Sequence, residues 1–183
     1  MIHHATDLEL QVGLQTIKLS PQDHGSVEMI VVRPRDCERL VLTECEVSAK
    51  RGVHGDMWAD GCWKKLPDGS PHPDVQVTLM NSRCIDLLAG DKNRWALAGD
   101  QLYVDLDLSM DNLPVGQQLA IGTAILQITE IAHTGCEQFI ERYGALAKAW
   151  VNSPLGKQMR LRGIYARVIR DGVIKTGDVI TKI

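Results

Sequence analysis

The sequence predicts a mostly β domain with a few helices, folded as a closed or nearly closed barrel, and three observations lead there. Asp-Gly and Gly-Asp pairs punctuate the chain at 55–56, 60–61, 68–69, 99–100, 171–172 and 177–178, and such pairs mark tight turns. Between them lie short runs rich in Val, Ile and Leu, the composition of strands. Only one long segment switches clearly to a helical period.

In chain order, strands are expected over residues 27–32, 39–47 and 75–79. Residues 82–89 read as a short helix with Ile85 and Leu88 inward. A hairpin is expected around Gly122-Thr123, joining 118–121 to 124–128. Phe139, Ile140, Tyr143, Leu146, Ala147 and Trp150 recur at offsets that build one apolar stripe, predicting an amphipathic helix over 135–151. Ser153-Pro154 fits the start of another short turn of helix, with Pro at its first position. A last hairpin is expected over 164–175, turning at Arg170-Asp171-Gly172. Residues 57–73, rich in Asp, Gly and Pro without periodicity, are too long for a simple connector and read as a functional or mobile loop.

At 183 residues, 44% of them apolar, the chain can bury one substantial core, and a single domain over 1–183 is expected. A net charge of -3, from 20 basic and 23 acidic residues, leaves no polybasic face for nucleic acid. His, Asp and Glu interrupt residues 1–14, so no signal peptide is read there, and no apolar run approaches a membrane span. Cys37, Cys45, Cys62, Cys84 and Cys136 are odd in number and scattered, without a CxxC pair. That pattern argues against a disulfide framework or a structural zinc site and suits a reducing cytoplasm. Without an iron-sulfur cysteine cluster or a dinucleotide fingerprint, a reductase built on this chain would need an external electron donor.

Cys136 is the leading candidate for chemistry. Thr134-Gly135-Cys136-Glu137 fits a capping box, which would put Cys136 in the first turn of the long helix. Amides and the positive end of the helix dipole there would favour a thiolate, and His133 would add to this if protonated. The other reading of Cys136 is a small buried hydrophobe. Cys62, near Trp58 and Trp63 in the long loop, stays open between lining a site and simple exposure; Cys37, Cys45 and Cys84 read as structural. Lys50, Arg51, His54 and Asp56 gather on a glycine-punctuated turn that would suit an anion, or would be an ordinary solvated turn. Arg160, Arg162 and Arg167 leave the same two readings, a solvated face or part of an anion pocket.

Read in order, several pieces resemble the MOSC domain, the module named for the C-terminal part of molybdenum cofactor sulfurase. The resemblance covers about residues 27–183 and runs through Lys50-Arg51-Gly52-Val53-His54-Gly55-Asp56, Val75-Gln76-Val77-Thr78-Leu79, Ala98-Gly99-Asp100-Gln101-Leu102 and the segment 113–122. It closes with His133-Thr134-Gly135-Cys136, Arg162-Gly163-Ile164-Tyr165-Ala166-Arg167-Val168 and Gly177-Asp178. Gly99-Asp100-Gln101 stands where the family usually has Gly-Glu-Asn. The resemblance implies a β-barrel and a cysteine, here Cys136, that ligates molybdenum in a molybdopterin-type cofactor or carries sulfur as a persulfide. Lys50, Arg51, His54, Asp56, His133, Thr134 and Arg162 are the matching candidates for holding the cofactor. Two activities follow from it: reduction of N-hydroxylated or similar small molecules, or acceptance of sulfur from a separate cysteine desulfurase for cluster or cofactor sulfuration.

Overall fold

The computed structural model describes residues 4–183. The first helix, α1 (Asp7–Lys18), adds an element to those expected from the sequence. Thr6 and Glu9 close a capping box at its start, the amide of Thr6 donating to the Glu9 carboxylate at 2.7 Å. Leu10, Leu14 and Ile17 form its buried stripe. Thr-x-x-Glu followed by that 4-3 spacing is the signal that marks it.

Eleven strands follow: β1 (Gly25–Val32), β2 (Leu40–Leu42), β3 (Glu44–Ser48), β4 (Gly52–Val53), β5 (Val77–Asn81), β6 (Leu102–Asp105), β7 (Gln118–Ile121), β8 (Ala124–Ile128), β9 (Ile164–Arg170), β10 (Gly172–Lys175) and β11 (Val179–Lys182). Seven of them close a mixed barrel in the order β11, β7, β8, β9, β5, β6, β1, with β11 returning to β1. Closure leaves these strands no free edge. β5 and β6 are the parallel pair, and a parallel pair needs a crossover. Here α3 (Ser82–Ala89) and a 3-10 helix over Lys92–Ala98 supply it. β2 adds to β1 outside the ring, and β10, β3 and β4 form a second, three-stranded sheet.

Alternation sorts the strand side chains into two cores. Val27, Ile30, Leu79, Leu102, Leu126 and Ile164 point into the barrel. Met29, Val31, Met80 and Tyr103 point outward and are covered by α1, α3 and two later helices, α4 (Glu137–Tyr143) and α5 (Ala145–Val151). A register shift between Val27 and Met29 changes the phase of β1, so Val27 and Ile30 share the inner face. No helix among the described residues is long and apolar enough to cross a membrane.

Several expected elements stand as read: α3 with Ile85 and Leu88 buried, the β7–β8 hairpin, and α6 (Pro154–Gln158) capped by Ser153 with Pro at its first turn. Three differ. Residues 164–175 make no hairpin, because β9 pairs with β5 and β8 while β10 pairs with β3. Gly172 serves close approach: a Cβ there would lie 2.5 Å from the amide of Ala124. The run 39–47 breaks at Thr43 into β2 and β3, which join different sheets. The run 75–79 begins as a 3-10 turn over Pro73–Val75, and its strand starts at Val77.

The long helix is also divided. Gly144, at φ 92° and ψ 159°, ends α4, and α5 starts afresh beyond it. A side chain at Gly144 would meet the ring of His4 at 3.1 Å. Cys136 is the N-cap residue, just before α4, and the expected capping box of Thr134 and Glu137 does not form.

Candidate functional site

A cavity of about 540 Å³ opens on the side of the barrel where the β5–β6 crossover, the 57–63 segment and the start of α4 meet. Its walls include Arg33, Trp58, Cys62, His133, Cys136 and Arg162. Chain segments far apart in sequence therefore supply one site.

Its floor is a buried ion pair. Arg162, only 6% exposed, donates from Nη1 to Asp100 at 2.7 Å and from Nη2 to the Ala98 carbonyl at 3.0 Å, and its guanidinium lies 5.0 Å from the centre of the Phe139 ring. Burial would lower the Arg162 guanidinium, but the charge and hydrogen bond of Asp100 outweigh it and keep it firmly cationic. Burial pushes the Asp100 carboxyl up, against the pull of Arg162 and Arg33. The backbone fixes this geometry at two glycines. Gly99 has φ 85° and turns the chain into β6. Gly163 has φ 103°, and a Cβ on it would strike the Leu79 carbonyl at 2.4 Å and approach His133 Nδ1 at 3.3 Å.

His133 stacks against Tyr165 with ring centres 4.6 Å apart, and its Nδ1 lies 3.5 Å from Asp100 Oδ1. Burial first, then the positive charges of Arg162 and Arg33, hold its pKa well below the usual histidine value. His133 is thus a neutral imidazole at neutral pH, and it adds no positive charge for a nearby thiolate.

Arg33 reaches the same pocket from the end of β1. Asp56 holds it by paired contacts of 2.9 Å to Nε and Nη2, while its Nη1 donates to the Gly99 carbonyl at 3.0 Å. The Asp56 carboxylate also accepts from the amides of Arg33 and Trp58, at 2.9 and 3.0 Å. With these four bonds its part is to orient Arg33 and anchor α2 (Trp58–Gly61). Cys62 is buried and donates to the Lys64 carbonyl at 2.9 Å.

Of the residues singled out from the sequence, His133, Thr134, Cys136 and Arg162 come together on this pocket. Lys50, Arg51 and His54 do not line it. Arg51 pairs with Asp60 at 3.2 Å on the surface, and His54 bonds Ser48 at 2.9 Å beside Glu46. Arg167 lies outside as well, on Gln127 and Asp74, and Arg160 donates to the Leu113 carbonyl. Arg33, Arg39, Arg142 and Asp100 complete the site and were not singled out as binding residues. Their partners lie too far along the chain for local pattern to reveal them.

Six buried side-chain polar atoms lack a hydrogen-bond partner among the described residues: Arg39 Nε, Trp58 Nε1, Asp100 Oδ1, Gln101 Nε2, His133 Nδ1 and Arg162 Nε. Four belong to residues lining the pocket; Asp100 and Gln101 sit directly behind it, bonded to Arg162 and Thr78. Buried polar groups are ordinarily satisfied, so this concentration is the mark of a site made for a polar ligand or ordered water. No three His, Cys, Asp or Glu residues among those described are grouped to hold a metal ion.

The family model described as the MOSC domain matches residues 88–181. Comparison with curated proteins gives no match. Among solved structures, the YuaD protein from Bacillus subtilis is similar with TM-score 0.59 and 19% identity, over 86% of this chain and 94% of that one. YiiM from Geobacillus stearothermophilus gives 0.56 and 18%, over 87% and 75%, and YiiM from Escherichia coli 0.55 and 16%, over 86% and 69%. At such identities the likeness speaks for the fold.

Proposed function

The chain belongs to the MOSC domain family, and from that premise we propose that its pocket binds a molybdopterin-type molybdenum cofactor, with Cys136 as the thiolate ligand of the metal, and reduces N-hydroxylated or similar small molecules. The observation that carries this reading is that four of the six unsatisfied polar atoms belong to residues lining the cavity that Cys136 also lines, and the other two lie directly behind it. The donor set fits such a group: an exposed soft sulfur at the mouth, cationic guanidiniums for a phosphate, and indole, imidazole and guanidinium nitrogens for a heterocycle.

When bound, the cofactor would supply a two-electron centre for removing oxygen from the substrate. The chain's own residues would do the rest. Arg162, locked by Asp100, keeps a fixed positive charge at the floor. His133, neutral and braced by Tyr165, offers a ring nitrogen without adding charge. Trp58 and Phe139 shield one side from water. Electrons would come from an external donor.

The exposure of Cys136 favours a second reading, a sulfur carrier. A persulfide there would be open to a cysteine desulfurase on one side and to an acceptor on the other. The two are separated by elemental analysis and intact mass of protein purified anaerobically from cells able to make the cofactor. Near-stoichiometric molybdenum, lost in Cys136→Ser, is expected for the cofactor reading. One added sulfur atom on Cys136 without metal would favour the carrier, and neither species would overturn both.

A further inference from the structure

Four guanidiniums reach the pocket, those of Arg33, Arg39, Arg142 and Arg162. Two are matched by buried carboxylates, Arg33 by Asp56 and Arg162 by Asp100. Among the described residues, Arg39 and Arg142 have no carboxylate partner and bond only the carbonyls of Glu38 and Leu97. Glu38 turns its own carboxylate to Arg35 at 3.1 Å. Asp36, which also lines the pocket, accepts on Oδ1 from the amide of Cys37 at 3.0 Å and pairs with neither arginine.

These two arginines are also close in the electrostatic sense. Burial, then the charges of Arg142 and Arg33, press the Arg39 pKa down. The Arg39 guanidinium lies over Gly99, where a Cβ would come within 3.4 Å of Nη2, and its Nε is buried with no acceptor. Like charges set together without a counter-charge cost free energy, which a bound anion removes. Position assigns the anion: Arg162 is buried at the floor, whereas Arg39 and Arg142 line the pocket half-buried, more open to solvent.

We propose that Arg39 and Arg142 form an oxyanion subsite at the mouth of the pocket, and that the substrate carries a carboxylate or phosphate group that docks there. The assignment to substrate rests on the pocket being the reaction site; the anion subsite stands without it. Two forked guanidiniums give an oxyanion bidentate, charge-assisted hydrogen bonds.

The test is orthophosphate binding by calorimetry, in cofactor-free protein and in protein loaded with molybdenum cofactor. Cofactor-free wild type should bind phosphate, and Arg39→Gln and Arg142→Gln should each weaken it about tenfold or more, with Arg39→Lys and Arg142→Lys recovering part. Unchanged melting curves show that the variants fold. Loaded protein should bind phosphate as well as cofactor-free protein. Equal binding in wild type and the Arg39→Gln/Arg142→Gln double variant overturns the subsite. Binding that disappears on loading overturns the substrate assignment, because the pair would then anchor the cofactor's own phosphate. If the protein never takes up molybdenum, the cofactor reading fails, and the cofactor-free titrations still decide the anion subsite.

Discussion

The two faces of strands β5 and β9 differ sharply. Inside the barrel, Val77, Leu79, Ile164 and Ala166 are at most 3% exposed and pack in one apolar cluster. On the outer face and the adjoining turns, Thr78, Asp100, Gln101 and Arg162 are also buried and His133 nearly so, yet several of their polar atoms have no partner. The same strands thus build a region whose burial stabilises the fold and one whose burial costs free energy. Departures from local consistency of this kind gather at functional sites, where the cost is offset elsewhere in the molecule.

Breaking the ion pair under the pocket should have the largest effect. Arg162→Met leaves Asp100 buried without its partner and should cost about 3–5 kcal/mol in urea unfolding. The Arg162→Met/Asp100→Leu pair should regain most of that; if it regains none, charge burial is not the cause. Within the barrel, Leu79→Ala should cost about 2–5 kcal/mol through the cavity it leaves while leaving phosphate binding intact, since Leu79 does not face the pocket.

The pH dependence separates the two faces more finely. His133 has a folded pKa well below 6.5, so below that value the unfolded chain takes up a proton that the folded chain refuses. Its contribution is complete above pH 6.5 and is lost as pH falls below it, by up to about 1.4 kcal/mol per pH unit. His133→Gln should flatten this part of the stability profile, and an unchanged slope would mean that His133 is not held neutral.

Cys136→Ser should change stability least, by no more than about 0.5 kcal/mol, because the thiol is exposed and caps no helix amide. Thiol labelling gives the matching contrast. Cys37 and Cys136 are exposed and should react in the folded protein, whereas burial pushes Cys45 and Cys84 up to about 12 and should leave them inert until unfolding. Labelling of Cys84 at the rate of Cys136 would contradict the depth of the second core.

Elements with local signals were legible in the sequence. Ser153-Pro154, the Ser82–Ala89 stripe and the Gly122-Thr123 turn carry their own instructions, and each forms as expected. Asp171-Gly172 carries the same turn signal, but the glycine there is required for contact with the β7–β8 turn, so the chain crosses to a second sheet. Gly144 looks tolerable within a helical stripe, yet it divides that stripe in two against His4. The site was legible in the same measure. His133, Thr134 and Cys136 are adjacent in sequence and stay together; the equally suggestive Lys50, Arg51 and His54 turn toward solvent.

By itself, then, the sequence determined the strand-rich composition, most turn positions, the family motifs and the adjacency of His133, Thr134 and Cys136, because each depends on residues a few positions apart. Tertiary structure alone decided which cations face the pocket and which are neutralised. Asp56 finds Arg33 across 23 residues and Asp100 finds Arg162 across 62, and Arg39 and Arg142 line one pocket with no carboxylate partner among the described residues. Electrostatic pairing depends on distance through space and on burial, and barrel closure, which brings these segments together, has no counterpart in local periodicity.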